Sequence, residues 1–203
     1  MTLLYGVGGY MLGSISIAWL LTKFISGKDL RELGSGNVGV TNVALNVARW
    51  AGLLVFFAEL AKGMLAVHVP RSLKASELQV FVTVLMAVVG TRWPVWLGFE
   101  GGRGNSVGFG ALLLLSWQTF VLGLVVWLIA RLLLGSSFWA ARACMVTWPV
   151  IFGILMQSWL AFFTALLLAA IYFSTHQRGT DDHLIIKQRW SSLLDFLLSP
   201  RRR

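Results

Sequence analysis

Hydrophobic runs make up most of the chain, and short polar interruptions divide them into segments of membrane-spanning length. A helix needs about 20 apolar residues to cross a bilayer. The pattern predicts seven spans, at residues 3–21, 50–69, 78–97, 104–116, 118–134, 138–155 and 159–173, and a polar tail at 174–203. No segment shows the alternation with a period of two that a membrane β-strand requires. We therefore predict an all-α, polytopic integral membrane protein that forms a single membrane domain.

Some boundaries in this pattern allow more than one interpretation. The apolar block from Val107 to Leu134 is interrupted at residues 116–119, which favours two short spans, although one long tilted helix is an alternative. The first run lacks a basic start and a small-residue cleavage site, so it is typical of a retained helix rather than a signal peptide. Residues 43–48 predict a short helix at the membrane surface.

Composition and charge support a membrane location. Of the 203 residues, 57% are hydrophobic and only 12% are charged, which is too apolar for an ordinary soluble domain. In a membrane protein, a net charge of +9 points first to basic inner loops that set the topology and to contact with anionic lipid, not to nucleic-acid binding. With the N-terminus outside, the outer loops carry only Arg71 and Lys74, and most other basic residues lie on the inner side. We predict a cell-membrane protein with a cytoplasmic C-terminus.

The first glycine loop, residues 34–42, combines three glycines with one Ser, one Thr and two Asn. Glycine permits a positive φ and a close approach of a ligand. Successive backbone N–H groups in such a loop can form an anion-binding nest, and a helix N-terminus adds positive partial charge. A flexible turn is the alternative, but a turn needs no Thr and Asn at its helical exit. The loop therefore predicts a phosphate site.

A second glycine loop, residues 98–106, carries Arg103 at its centre, and both loops are predicted on the cytoplasmic side. Lys62 lies inside span two, where a structural ion pair with Glu59 at i, i+3 is the alternative to phosphate binding. Together with Ser136, Ser137 and His176, these cations and N–H groups suit a small phosphorylated metabolite. The sequence offers no paired carboxylates, no Cys/His cluster and no clear Ser-His-Asp triad, which excludes a metalloenzyme or a classical hydrolase.

Several motifs now become recognisable by their order and spacing. They are Gly13-Ser14-Ile15, Gly34-Ser35-Gly36-Asn37-Val38-Gly39 followed by Thr41-Asn42-Val43, Lys62-Gly63, Pro94-Val95, and Gly101-Gly102 with Gly104. Over nearly its whole length, the chain resembles the PlsY family of bacterial membrane acyl-phosphate:glycerol-3-phosphate acyltransferases. The resemblance implies seven transmembrane helices and acyl transfer from acyl phosphate to the 1-hydroxyl of glycerol 3-phosphate, which yields lysophosphatidic acid and phosphate. It implies no metal and no organic cofactor.

The resemblance also implies roles for individual residues. The catalytic residues would be Ser35, Asn37, Thr41, Asn42 and His176. The substrates would be held by Gly34, Gly36, Gly39, Lys62, Gly101, Gly102, Arg103, Gly104, Ser136 and Ser137. The family is thought to use the substrate phosphate as the proton acceptor, so the protein would contribute positioning and electrostatic stabilisation.

The chain departs from the family pattern at several positions, and four of these departures put the activity in question. Leu45 replaces a basic residue, Thr91 a His, Glu100 a Lys and Gly179 an Asn. Each lost charge-assisted contact would weaken phosphate binding by roughly 1.5–3 kcal/mol, which is about tenfold or more in affinity. The alternatives are therefore a catalytically impaired paralogue and a non-catalytic membrane protein that binds or transports lipid phosphates.

Overall fold

The computed structural model describes residues 1–175, and within them the ordered elements are helical. The α-helices are α1 (Thr2–Ser14), α2 (Ile17–Ser26), α3 (Val40–Asn46), α4 (Arg49–Ser72), α5 (Glu77–Arg92), α6 (Asn105–Leu115), α7 (Trp117–Leu134), α8 (Ser137–Met156) and α9 (Trp159–Thr175). Short 3₁₀ turns lie at Leu30–Glu32 and Val95–Leu97.

Helix length and composition identify the membrane-spanning part. Among the described residues, five stretches are long and apolar enough to cross a bilayer: Thr2–Ser26 taken across its break, Arg49–Ser72, Glu77–Leu97, Trp117–Leu134 and Phe138–Met156. The apolar helices α6 and α9 are shorter. The prediction of an all-α, polytopic membrane protein is confirmed.

The first predicted span, residues 3–21, contains two helices separated by a short break. Helix α1 ends at Ser14, Ile15 is extended, and Ser16 caps α2 by accepting a hydrogen bond from the Trp19 N–H. The carbonyl oxygen of Ile15 accepts a hydrogen bond from the ammonium group of Lys62, at 2.8 Å. A cation from another helix thus satisfies the backbone at the break, which hydrophobicity alone does not reveal.

The apolar block at 107–134 divides into two helices at Ser116. The Ser116 hydroxyl accepts a hydrogen bond from the Thr119 N–H and lies 2.8 Å from the Thr119 hydroxyl, so it caps α7. The predicted span at 78–97 is helical only to Arg92, and the chain then turns through Pro94, whose ring disfavours helix at the preceding residue.

Close helix packing brings the two glycine loops together. Helix α1 packs against α5, and α4 packs against α6, at points where a Cβ on Gly13 or Gly63 would clash with the carbonyl of Ala87 or Val107. Small residues permit this approach of two backbones. An apolar core beneath the first glycine loop includes Leu97 from the segment that leads into the second. Helices α4, α5 and α6 therefore hold both loops at one end of the bundle.

Candidate active site

A polar cavity, called the loop cavity here, lies between the two glycine loops. It is lined by Asn37, Val38, Gly39, Val40, Thr41, Glu59, Thr91, Gly102, Arg103, Gly104, Asn105 and Ser106. Its volume is about 110 Å³, and its lining is polar or glycine except for Val38 and Val40. The loop cavity therefore suits a small polar group such as a phosphate.

Two helices begin at the loop cavity without a side-chain cap. Gly39 precedes α3 and Gly104 precedes α6, and neither helix has a capping hydrogen bond from a side chain. The first N–H groups of a helix lack partners within the helix and carry positive partial charge. With Arg103 on the same wall, these N–H groups give the loop cavity the chemistry that suits an anion.

The first glycine loop is shaped by a single side chain, that of Asn42. Its amide nitrogen donates hydrogen bonds to the carbonyl oxygens of Leu33 (2.8 Å), Asn37 (2.9 Å) and Leu30 (3.3 Å). Its amide oxygen accepts one from Asn46 Nδ2 at 2.7 Å. The side chain is fully buried and does not line the loop cavity. Asn42 therefore positions the loop, whereas the resemblance implied that it contacts substrate.

Positive φ angles explain two glycines of this loop. Gly34 and Gly36 have φ values of 56° and 71°, a region that L side chains rarely adopt. The Ser35 hydroxyl between them accepts a long hydrogen bond of 3.4 Å from the Asn37 N–H. Ser35 therefore lies in a tight turn of the loop, and Asn37 and Thr41 line the loop cavity.

The second glycine loop is held against the end of α5 by its backbone. The N–H groups of Gly101 and Gly102 donate to the carbonyls of Arg92 (3.1 Å) and Thr91 (3.0 Å). A Cβ on Gly102 would clash with the Val38 carbonyl of the first loop. These two N–H groups were predicted to bind substrate, but they are used for loop packing. Glycine at 102 lets the two loops touch.

Lys62 occupies a different environment from the one that phosphate binding requires. Its ammonium group lies 2.8 Å from Glu59 Oε2 and donates to the carbonyl oxygens of Ile15 (2.8 Å) and Gly13 (3.1 Å). Two of the three ammonium protons are thus used by backbone carbonyls, and the charge is paired with Glu59. Lys62 is also buried, with only 5% of its surface exposed. The contacts fit the alternative interpretation of a structural ion pair, and the phosphate role of Lys62 stays a prediction.

Four polar residues of the loop cavity were not among the predicted site residues: Glu59, Thr91, Asn105 and Ser106. Asn105 and Ser106 are the first two residues of α6. Two polar residues at the start of an apolar helix were the sequence signal that could have identified them as site residues. Thr91 replaces the family's His, and its hydroxyl lies 2.9 Å from the Ala87 carbonyl and 3.2 Å from that of Gly13. Glu59 was predicted as an ion-pair partner of Lys62 and not as a residue of the cavity lining.

Other predicted residues lie elsewhere or outside the described part of the chain. Ser136 precedes α8 and does not line the loop cavity, and Ser137 is the first residue of that helix. His176 and Gly179 lie outside the described residues. Leu45 is buried in the core rather than replacing a cation at the cavity wall. Within residues 1–175, no group of three His, Cys, Asp or Glu side chains could hold a metal ion.

Glu100 also points away from the loop cavity. Its side chain is 74% exposed, and Oε2 lies 3.4 Å from Nη1 of Arg31. Arg31 also pairs with Asp29 at 2.7 Å, and this guanidinium holds the pKa of Asp29 well below its usual range. The acidic replacement therefore has a basic partner outside the cavity.

The chain matches a family model over most of its length. The model is described as "Glycerol-3-phosphate acyltransferase" and matches residues 3–184. A relative of that name from Prochlorococcus marinus (strain MIT 9301) is 33% identical over 181 residues, which cover 87% of this chain and 91% of the relative. Another, from Wolbachia pipientis wMel, is 32% identical over 171 residues, with coverage of 84% and 88%. For the relative from Prochlorococcus marinus (strain MIT 9215), 37% identity extends over 129 residues, and the chain spans just under two thirds of that relative's length, 66%.

Two solved structures share the whole fold. A crystal structure of PlsY (YgiH), an integral membrane glycerol 3-phosphate acyltransferase in its glycerol 3-phosphate form, matches with a TM-score of 0.81 and 27% identity. The match covers 98% of this chain and 99% of that one. The lysophosphatidic acid form matches in fold, with a TM-score of 0.76 and 24% identity. Because the family model covers residues 3–184, the chain belongs to the glycerol-3-phosphate acyltransferase family of integral membrane proteins.

Proposed function

We propose that this protein transfers an acyl group from acyl phosphate to the 1-hydroxyl of glycerol 3-phosphate. The observation that carries the proposal is the convergence of two uncapped helix N-termini and Arg103 on one small cavity. Both substrates bear phosphate, which such a site stabilises. Family membership and the glycerol 3-phosphate form of the structural relative support the choice of acceptor.

The reaction needs no general base from the protein. The acceptor hydroxyl oxygen attacks the acyl carbon, the bond from that carbon to the phosphate oxygen breaks, and the hydroxyl proton passes to the departing phosphate. Atoms and charges balance without a further reactant. The protein's contribution is to hold the two substrates in contact and to stabilise the negative charge with backbone N–H groups and a fixed cation.

The residues divide into those that touch substrate and those that position them. Ser35, Asn37 and Thr41 with the N–H groups of α3 cradle the acyl phosphate, and Arg103 binds phosphate bidentately. Ser136, Ser137 and His176 are assigned to the glycerol phosphate, as the family resemblance suggests. Asn42 and Lys62 act through the backbone that they fix, because their polar atoms are already bonded.

The membrane supplies the acyl phosphate. We place both glycine loops at the cytoplasmic face and the N-terminus outside, because this orientation leaves few basic residues in the outer loops. The acyl chain would lie in a groove between the spans that is reached from the lipid.

The paired Glu100 favours activity over the impaired alternative. A free carboxylate beside the phosphate site would repel a substrate dianion. Glu100 does not line the loop cavity and has Arg31 as a partner, so it does not place an uncompensated negative charge at the cavity wall.

The test is release of inorganic phosphate from a medium-chain acyl phosphate by the purified protein, with and without glycerol 3-phosphate. We expect release that depends on glycerol 3-phosphate and matches the lysophosphatidic acid formed. Arg103→Ala should lower kcat/KM at least about tenfold, since a charge-assisted contact contributes roughly 1.5–3 kcal/mol.

Arg71→Ala is the matched control, because Arg71 lies at the far end of α4 and bonds the Leu114 carbonyl. It should leave kcat/KM within about twofold of the wild type. A folded wild-type protein with no release above that of Ser35→Ala would overturn the proposal. Binding of glycerol 3-phosphate without phosphate release would then favour a non-catalytic membrane protein.

A further inference from the structure

A polar network outside the loop cavity connects the two glycine loops. It centres on Arg31, which is on the 3₁₀ turn that precedes the first loop. We propose that Arg31 is a positioning residue that clamps the second glycine loop against the first and so sets the affinity for glycerol 3-phosphate. The clamp rests on the proposed function for its kinetic effect, but its structural effect can be measured independently.

On one side, the guanidinium is fixed by Asp29. Nη2 lies 2.7 Å from Oδ2 and Nε lies 3.0 Å from Oδ1, which is a bidentate fork. The Asp29 carboxylate also accepts a hydrogen bond from the Arg31 backbone N–H at 2.9 Å. The fork orients Arg31 before any contact with the second loop is made, so little additional side-chain entropy is lost.

On the other side, the same guanidinium contacts the segment that carries the second loop. Nη1 donates to the Leu97 carbonyl at 3.1 Å and lies 3.4 Å from Glu100 Oε2. These partners are 66 and 69 residues away in the sequence. Arg31 therefore ties the polar segment after α2 to the chain just before Gly101 and Gly102.

At each end, the clamp contacts a segment that includes residues of the loop-cavity lining. The Arg31 carbonyl oxygen lies only 3.1 Å from the position of a Cβ on Gly36, so the turn and the first loop pack against each other. Gly102, two residues after Glu100, lines the loop cavity beside Arg103. A displacement of the segment at 97–100 would therefore move the phosphate-binding wall.

The two contacts on the second side differ in strength. Glu100 is largely exposed, and an exposed ion pair at this distance contributes little. The hydrogen bond to the Leu97 carbonyl has a charged donor and an acceptor on a residue that is 93% buried, with a relative exposure of 7%. Loss of Arg31 should therefore have a larger effect than loss of Glu100.

The kinetic arm compares Arg31→Met, which removes the donors but keeps an unbranched apolar stem, with Glu100→Gln and Glu32→Gln. Glu32 is exposed on the same turn and serves as the matched control. We expect Arg31→Met to raise the KM for glycerol 3-phosphate about tenfold, with kcat within about twofold. Glu100→Gln should raise KM about two- to threefold. The double variant Arg31→Met/Glu100→Gln should have a KM no higher than that of Arg31→Met, and Glu32→Gln should have the KM of the wild type.

The structural arm measures tryptic cleavage after Arg103 in the folded protein without substrate. A loosened loop should be cut faster, so Arg31→Met should exceed the wild type and Glu32→Gln should equal it. Unchanged cleavage and a KM within twofold in Arg31→Met would overturn the clamp. Faster cleavage with unchanged KM, or a loss of kcat alone, would overturn its role in affinity. If the wild type shows no acyl transfer, the proposed function fails, and the cleavage rates alone decide whether the clamp exists.

Discussion

The two glycine loops meet at one cavity but obtain their order in different ways. The first is organised by Asn42, whose amide bonds three carbonyls that lie within 12 residues of it. The second is held locally by its backbone, whose N–H groups from Gly98 to Gly102 donate to carbonyls between Thr91 and Leu97, and it needs distant contacts as well. It depends on the carbonyls at the end of α5, on the Val38 backbone and on Arg31, which is 66 residues from Leu97.

This difference shows how local and long-range contacts share the construction of a site. The second loop is also supported by a series of contacts that reaches the membrane-spanning helices. The Gly102 N–H donates to the Thr91 carbonyl, and the Thr91 hydroxyl bonds the same Gly13 carbonyl as Lys62 does. Lys62 in turn pairs with Glu59. The first loop should thus respond mainly to changes within itself. The second should respond to changes made far from it in the sequence.

The largest expected effect is that of Lys62→Met, which leaves the Glu59 carboxylate buried without a partner. We expect the free energy of unfolding to fall by about 3–5 kcal/mol, measured by reversible denaturation in detergent. The hydrogen bonds from Lys62 to the carbonyls of Gly13 and Ile15, at the break after α1, would also be lost.

The double variant Glu59→Gln/Lys62→Met is the control for that change, because it removes both charges. It should recover most of the lost stability. If Lys62→Met instead kept its stability and only raised the KM for the phosphate substrates, Lys62 would bind phosphate as the family resemblance implies.

Next in size is Asn42→Ala, which removes the organising side chain of the first loop. Three carbonyl oxygens lose a donor, so the free energy of unfolding should fall by about 3 kcal/mol, and acyl transfer should fall with it. Asn46→Ala removes only the donor to Asn42 and should cost about 1 kcal/mol. Equal effects in a thermal unfolding assay would show that the loop does not depend on Asn42.

Gly102→Ala tests the contact between the two loops. The new Cβ would clash with the Val38 carbonyl, and overpacking of this kind costs about 1–3 kcal/mol. The second loop can relieve the strain by moving, so kcat/KM should fall about tenfold or more while stability changes less. Gly8→Ala, where a Cβ meets open space, should leave both unchanged. An active Gly102→Ala variant would mean that the loops need not touch.

The smallest effect concerns pH and the Asp29–Arg31 pair. Arg31 lowers the pKa of Asp29, so this carboxylate adds stability above its unfolded pKa of about 3.9 and loses it as pH falls through the lower folded pKa. Asp29→Asn should therefore be less stable than the wild type by about 0.5–1 kcal/mol from pH 8 to about pH 5, with the difference shrinking only below about pH 4. A difference that vanishes near pH 6 would contradict the lowered pKa.

The fold could be predicted in outline because hydrophobic runs report burial in lipid directly. The break at Ile15 could not, since both halves of Thr2–Ser26 are apolar and the stabilising cation comes from α4. The site could be predicted where its chemistry lies in one stretch, as in residues 34–42. Thr91 and Glu59 were missed because single polar residues in apolar helices carry no local pattern.

By itself, the sequence determined the membrane class, the approximate spans and the two glycine loops, because these depend on hydrophobicity and on backbone freedom over short distances. Only the tertiary structure decided which polar atoms remain available to a ligand. Asn42 and Lys62 are of the right chemical type for the site, yet their bonding groups are already used by neighbouring backbone. Hydrogen bonds between distant segments set that availability, and a linear sequence does not record them.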